Sequence, residues 1–389
     1  MRRFQGFLAA FDLLVWLALG VQWLRGIKSA PVLRNIVISK GLERWPGLSV
    51  VVPACNEERA VGDSVGSVMA QEYPGELEEV VVDDRSSDRT GEILDNLAEE
   101  HPGRLRVLHV ENLPEGWLGK NHALWLGASR VEDEWLLFTD ADVWFSTRCF
   151  ERAVGYAVSN GLHHLTLAPE IYSRTVLLGA FVETFELIFE ITQRPWKARD
   201  PRSQEAAGVG AFNLLRRDVY EEIGTHQAIA MRPDDDMKLA KLVKKNGFRT
   251  DVAYGAGLLG VEWHQSLGGA VRGLSKSIFP GMDYRLDPAA FVTAVLLLTH
   301  VPPFVGVLLS RGLTRVLFGI NVLLIFALYA YRSQIAEQRN PVRHAALHPF
   351  SVCVFVYAIR RSVYMTLANG GIEWRGTTYP LEQLKRNTV

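Results

Sequence analysis

EEVVVDDRSSDRTGEIL, residues 78–94, compresses a strand, a turn and the start of a helix into one segment. Valines 80–82 favour extended backbone, Asp83 and Asp84 close the run, and Ser87 or Asp88 can cap the amphipathic stretch 88–100. The same alternation recurs on both sides. Candidate strands 48–53, 78–83, 104–109 and 135–139 are separated by helical patterns at 58–71, 88–100 and 119–130. Short β-branched runs joined by amphipathic crossovers predict an α/β domain: a Rossmann-like, mostly parallel sheet with flanking helices. Ligands bind such a sheet beyond the carboxyl ends of its strands. The acidic residues of this chain fall there.

Outward from this region the composition changes. The 389 residues carry a formal net charge of -1, which provides no global field for nucleic acid, so electrostatic recognition has to be local. Cys55, Cys149 and Cys353 are widely spaced, odd in number and without a CxxC pair; this argues against a disulfide framework or a zinc site and fits a reducing compartment. Residues 4–24 approach the ~20 apolar residues needed to span a bilayer and read as an anchor, with a cleaved secretory signal as the alternative. Arg25, Lys28, Arg34, Lys40 and Arg44 follow, a cluster that favours a cytoplasmic place for the domain behind it. Stretches 289–310 and 313–331 predict a helical hairpin. The last stretch, 349–368, carries Arg360 and Arg361 near its middle, each costing ~2.5–3.5 kcal/mol at the bilayer centre, and reads as interfacial or partly inserted. The expected organisation is a transmembrane anchor at 1–26, an α/β domain at 45–280, membrane helices within 287–368 and a cytoplasmic or peripheral tail at 369–389.

Several motifs sit where the sheet should open. Asp140 and Asp142 leave the fourth strand as two carboxylates able to reach one hard divalent cation, Mg2+ or Mn2+, which in turn neutralises a diphosphate; a chance surface turn is the plainer reading. Asp83 and Asp84 can accept from ribose hydroxyls or a base N–H, or simply belong to the turn before a helix. PDDDMKLA, 233–240, sets three carboxylates at a helix start, where the dipole eases their repulsion. Crowding raises one of them toward the pKa of a general base, whereas a solvated cap needs no such role. GWLGKNHALWLGA, 116–128, offers glycine N–H donors and Lys120 to diphosphate oxygens, or an ordinary surface lysine, and lacks P-loop spacing. Gly208 and Gly210 precede a short apolar strand, as a turn or as a floor beneath a sugar or acceptor. HQSLGGAVRGLSKS, 264–277, with Gln265 and Arg272, is amphipathic and suits the headgroup layer.

In chain order, VVVPACNEE, VVDDRSSDRT, GWLGKNHAL, FTDADV, GVGAFNLLRRDVYEEIG and PDDDMKLAKLVKKNGFR resemble family 2 glycosyltransferases of the GT-A fold, over about residues 45–280. The GWLGK loop, the RGLSK stretch and the tail GGIEWRGTTYPLEQL look more specifically like membrane enzymes that glycosylate carotenoids, hopanoids or sphingoid lipids. The resemblance implies nucleotide-sugar contacts at Pro53, Glu57, Asp83, Asp84, Lys120 and Asp140, a metal held by Asp142 with Asp140, and a general base at Asp236 beside Asp235. Gly208, Gly210, Gln265 and Arg272 are assigned toward the acceptor or the interface. The implied reaction is inverting, non-processive transfer from a nucleotide-sugar, UDP-sugar foremost, to a lipid hydroxyl at the cytoplasmic face of the inner membrane. Transfer to a polyprenyl phosphate or a short glycan is the alternative reaction, and a non-catalytic nucleotide-binding membrane scaffold the alternative class. Two departures stand out. Cys55 occupies a place where the family often has an aromatic that could stack on uracil. The QxxRW motif of processive polysaccharide synthases is absent, Gln265 with Arg272 being a distant echo, which disfavours polymer synthesis.

Overall fold

A computed structural model describes residues 2–36, 42–336 and 340–386; Lys40 of the basic cluster lies outside them. The elements group into two units. One holds Ala30–Ile171 and Pro195–Glu262, and the other the N-terminal helix with Tyr172–Arg194 and Trp263–Leu381.

After helix α1 (Arg2–Ser29), the sheet unit begins with β1 (Leu48–Ala54), α2 (Val61–Met69), β2 (Leu77–Asp84), α3 (Thr90–Glu100), β3 (Leu105–Val110), α4 (Gly119–Ala128) and β4 (Trp135–Phe138). Next come β5 (Val143–Phe145), α5 (Cys149–Ser159), β6 (His164–Ala168) and β7 (Glu170–Ile171), and then α6 (Val176–Gln193), which belongs to the other unit. The sheet unit resumes with β8 (Asn213–Arg216), α7 (Arg217–Glu222), α8 (Asp235–Lys245), β9 (Thr250–Tyr254) and β10 (Leu259–Val261).

Seven strands form the main sheet in the order β3-β2-β1-β4-β8-β6-β9, and β5, β10 and β7 form a smaller one. β1 runs parallel to β2 and β4, and β2 to β3, whereas β8 is antiparallel to both of its neighbours. The expected mostly parallel sheet is therefore present. The 58–71 pattern shortens to Val61–Met69 because residues before it are held in a turn. Asn56 there adopts φ 58°, a left-handed conformation that asparagine tolerates, and its Oδ1 accepts from the N–H of Ser87 and Asp88.

Val51, Val80, Val82, Leu136 and Phe138 pack with Leu124, Leu239 and Val243 in one buried cluster. Each such side chain contributes roughly 1.5–3 kcal/mol on leaving water. The register matters more for function. Ala54 pairs with Asp83 and Val51 with Phe138, so the loops after β1, β2 and β4 open at a common edge. Asn213 lies opposite Phe138 in the antiparallel pair, which brings the glycine segment before β8 to that edge as well.

The second unit adds α9 (Leu267–Gly281), α10 (Leu286–His300), α11 (Pro302–Leu309), α12 (Gly312–Ala336), α13 (Pro341–Ala346), α14 (His348–Ala368) and a hairpin of β11 (Gly371–Trp374) with β12 (Thr377–Pro380). Residues 172–194 and 263–280, both inside the 45–280 span, group with these helices. Among the described residues, four helical segments are long and apolar enough to cross a membrane: Gln5–Ser29, Leu286–Leu309, Gly312–Ala336 and His348–Ala368. The apolar stretch 289–310 is divided between α10 and α11 at Val301, since Pro302 opens the second helix and has no N–H to continue the first.

Gly306 lets α11 approach α12, because a Cβ there would enter the Phe318 ring. Polar groups of α6 meet those of the long helices. Arg332 pairs with Glu186 at 3.0 Å and Glu190 at 3.2 Å, and the Trp23 indole donates to Glu190 at 2.8 Å. The Tyr329 hydroxyl sits between Thr184 at 2.6 Å and His348 Nδ1 at 2.8 Å.

Candidate active site

At the open edge of the main sheet the acidic motifs acquire different partners. Lys120, in the first turn of α4, places its Nζ 2.8 Å from Asp140 and 3.4 Å from Asp235. Burial favours loss of the Lys120 proton, but Asp140, Asp235 and Asp236 outweigh it and hold the ammonium charged. Asp140 is further fixed through its backbone N–H, which donates to the Gly210 carbonyl at 3.1 Å.

The three carboxylates at the start of α8 separate because successive helical residues point ~100° apart. Asp234 turns to Arg232, accepting from its guanidinium at 2.8 and 2.9 Å, and serves the fold. Asp235 is buried against Lys120, and burial raises its carboxyl. Asp236 is half-buried and accepts from the Gly210 N–H at 2.9 Å and the Met237 N–H at 2.7 Å. Burial, then the neighbouring Asp235 charge, pushes the Asp236 carboxyl up to about 7.

The two glycines are needed for this closeness. A Cβ on Gly208 would collide with the Asp236 carbonyl, and one on Gly210 would lie 2.5 Å from Asp140 Oδ2 and 3.3 Å from Lys120 Nζ. A small cavity lined by Lys120, Asp140, Gly210, Asn213, Asp235 and Asp236 marks the place where they converge.

Asp142 is half-buried two residues beyond Asp140, and burial, then the Asp140 and Glu57 charges, raises its carboxyl to about 7. Pro53 lies in β1 opposite Val82, one register step from the Ala54–Asp83 pair. Asp83 is buried; Oδ2 meets His109 Nδ1 at 3.0 Å, while Oδ1 has no hydrogen-bond partner. Asp84 is occupied by Arg85, at 2.8 and 2.9 Å, beneath Gly119, where a Cβ would strike the carboxylate. Gln265 and Arg272 belong to the second unit, Arg272 on α9.

Residues 49–224 match glycosyl transferase family 2. The chain carries a glycosyl transferase family 2 domain. The poly-beta-1,6-N-acetyl-D-glucosamine synthase of Staphylococcus epidermidis is 26% identical to the chain over 218 residues, 53% of this chain and 50% of that one. The chain thus spans about half the length of that relative. The 4,4'-diaponeurosporenoate glycosyltransferase of Staphylococcus aureus is 21% identical over 345 residues, 86% of this chain and 89% of that one. Among solved structures, the mannosyltransferase PcManGT from Pyrobaculum calidifontis, in complex with GDP-Man and Mn2+, superimposes with a TM-score of 0.55 at 16% identity, over 93% of this chain and 99% of that one. That likeness is one of fold, and it bears out the GT-A architecture.

This donor set fits a hard cation held jointly with a ligand. Among the described residues no three His, Cys, Asp or Glu side chains gather as a ready-made cage. Asp142 instead offers a crowded carboxylate whose protonation burial and like charges favour, an environment a divalent ion would reverse. Mg2+ is commonly held in this way, by one or two carboxylates plus phosphate oxygens and water.

Two contributors escaped the sequence reading. Asn121 donates from Nδ2 to the carbonyls of Ile229 at 2.8 Å and Arg232 at 2.9 Å, fixing the turn that leads into α8. An amide in the first turn of a helix, next to Lys120, was its one local signal. His109 bridges Asp83 and Asp95, both at 3.0 Å, and nothing in its own strand marks it out.

Proposed function

We propose that the glycosyltransferase moves a single sugar from a nucleotide-sugar to the hydroxyl of a lipid, with inversion, at the cytoplasmic face of a membrane. The observation that carries this reading is Asp236, whose carboxylate is aimed by the Gly210 and Met237 N–H groups beside the Lys120–Asp140 pair. With a carboxyl near 7, Asp236 is suited to take the proton of an attacking hydroxyl at neutral pH. Asp235 shares the Lys120 charge and keeps the neighbouring acid crowded, which sustains the raised value.

On the donor side, the unpartnered Oδ1 of Asp83 is suited to a base N–H or a ribose hydroxyl, with Pro53, Glu57 and Asp84 around the same strand ends. Lys120 would exchange part of its contact with Asp140 for diphosphate oxygens. Asp142 and Asp140 would hold the divalent ion, which supplies Lewis-acid neutralisation of the departing nucleotide diphosphate. Direct displacement by the hydroxyl from the face opposite the leaving group inverts the anomeric carbon.

A lipid acceptor is supported by the apolar helices and by the resemblance over most of both chains to a glycosyltransferase named for 4,4'-diaponeurosporenoate. The decisive experiment supplies purified glycosyltransferase in nanodiscs with candidate nucleotide-sugars and follows nucleotide diphosphate release with carotenoid, hopanoid, sphingoid, polyprenyl phosphate and short-glycan acceptors in parallel. A hydroxylated lipid is expected to be glycosylated. Release only with polyprenyl phosphate or a short glycan would redirect the acceptor assignment, and donor binding without product from any acceptor would favour a scaffold.

A further inference from the structure

α14 satisfies the length and apolarity of a spanning helix, yet its packing places it otherwise. His348, its first residue, meets His300 at the end of α10 at 3.0 Å. Near its other end, the Ser362 hydroxyl donates to the Ser275 carbonyl of α9 at 2.7 Å and accepts from the Phe279 N–H at 3.1 Å. α14 therefore runs antiparallel to α10 and finishes on the side where α10 starts. Its depth follows from Tyr329, which bonds His348 at 2.8 Å on a helix ending at Ala336. At 1.5 Å per residue, α14 begins only ~10 Å inside the end of α12, while its own length is ~31 Å. Running back toward the start of α10, it brings its second half to that end of the helical unit.

α14 presents a particular surface. Phe350, Cys353, Tyr357, Arg360, Tyr364 and Leu367 recur at helical spacing and are all exposed, the last three in its second half, with Arg361 beside them half-exposed. Among the described residues neither Arg360 nor Arg361 has an acidic partner. Arg360 lies ~18 Å along the helix from His348, two residues before Ser362, which bonds α9. Tyrosines are favoured at headgroup depth, and two neighbouring guanidiniums favour a headgroup of net negative charge over a zwitterionic one whose phosphodiester is already offset by its own cation.

We propose that the Tyr357–Arg360–Arg361–Tyr364 face of α14 docks on the headgroups of anionic phospholipids, with α14 oblique to the bilayer and the β11–β12 hairpin on the side where α10 begins. On the same unit, Lys276 of α9 sits 5.6 Å over the Trp374 ring of the hairpin, a second cation–aromatic pair of interfacial character. The inference rests on the membrane reading of α1 and α10–α12, not on the chemistry of sugar transfer.

Two measurements on the full chain test it. In nanodiscs of phosphatidylcholine mixed with phosphatidylglycerol, native mass spectrometry should show the protein retaining the anionic lipid preferentially. R360Q/R361Q should lower that preference roughly thirtyfold, from ~1 kcal/mol for each of two basic residues near an anionic surface, and R360K/R361K should keep most of it. Equal retention of both lipids by the wild type, or an unchanged preference in R360Q/R361Q, would overturn the docking site. In sealed vesicles of a C353S background, Asn369→Cys should react with an impermeant maleimide from the same side as Glu99→Cys on α3. Labelling from opposite sides would make α14 a fourth span and sink the proposal. Donor turnover measured in the same discs reports separately on the sugar-transfer reading.

Discussion

Replacing Asp236 with Asn separates chemistry from folding at one carboxylate. The wild-type side chain accepts two backbone N–H bonds, from Gly210 and Met237. An amide has one acceptor oxygen, so one of those donors loses its partner, at a cost of ~1–3 kcal/mol where it is shielded from water. Against this, the substitution removes a charge that burial and Asp235 disfavour strongly enough to raise the carboxyl from 3.8 to about 7. The two effects oppose each other, and the variant should stay within roughly 2 kcal/mol of wild type at neutral pH.

The sign of the pH dependence follows from the raised value. A carboxyl with a folded pKa above its unfolded one contributes stability that is complete below the unfolded value and is lost as pH rises through about 7. Asp236→Asn should therefore gain on wild type above pH ~7 and fall behind it below pH ~4. Turnover should behave differently. Loss of a general base lowers the rate ~10²–10⁴-fold. Wild-type kcat/KM should fall about tenfold per pH unit on the acid side of ~7, and the residual rate of Asp236→Asn should lack that limb. Nucleotide diphosphate release in nanodiscs, paired with thermal unfolding across pH, reads both. Turnover within tenfold of wild type, or an unaltered acid limb in the variant, would refute the assignment of the base.

Other outcomes follow from the same geometry. Gly208→Ala should reduce thermal stability sharply, since the added carbon meets the backbone carbonyl of Asp236, whereas Gly210→Ala meets the ends of Asp140 and Lys120 and should fold while losing roughly tenfold or more in kcat, read as Tm against rate. Chelation should abolish turnover and added Mg2+ or Mn2+ restore it, with Asp142→Asn requiring a higher metal concentration for half-maximal rate; metal-independent activity in a chelated sample would contradict the donor set. Asp83→Ala should raise the KM for the nucleotide-sugar more than it changes kcat, and an unchanged KM would remove Asp83 from the donor site. Arg332→Met should leave Glu186 and Glu190 uncompensated and cost ~3–5 kcal/mol, visible as a lowered unfolding temperature in detergent.

Much of this protein is legible from local pattern. Short apolar runs placed β1, β2 and β4 to within about one residue of their observed ends, because strand periodicity and helix caps are set by near neighbours. The apolar length of the terminal stretches likewise announced the helices, being a property of composition alone. Tertiary structure decided what those elements do to one another. Lys120 meets Asp140 and Asp235 across separations that no periodicity spans, and only the register of β1 with β2 and β4 brings those strand ends into line. Which of Asp234, Asp235 and Asp236 is a structural partner and which faces the cavity depends on the rotation of α8 once packed. The direction in which α14 leaves the helical unit is fixed by His300 and Ser275, residues remote in sequence, and chain-distant contacts of this kind carry no signature in the segment they constrain.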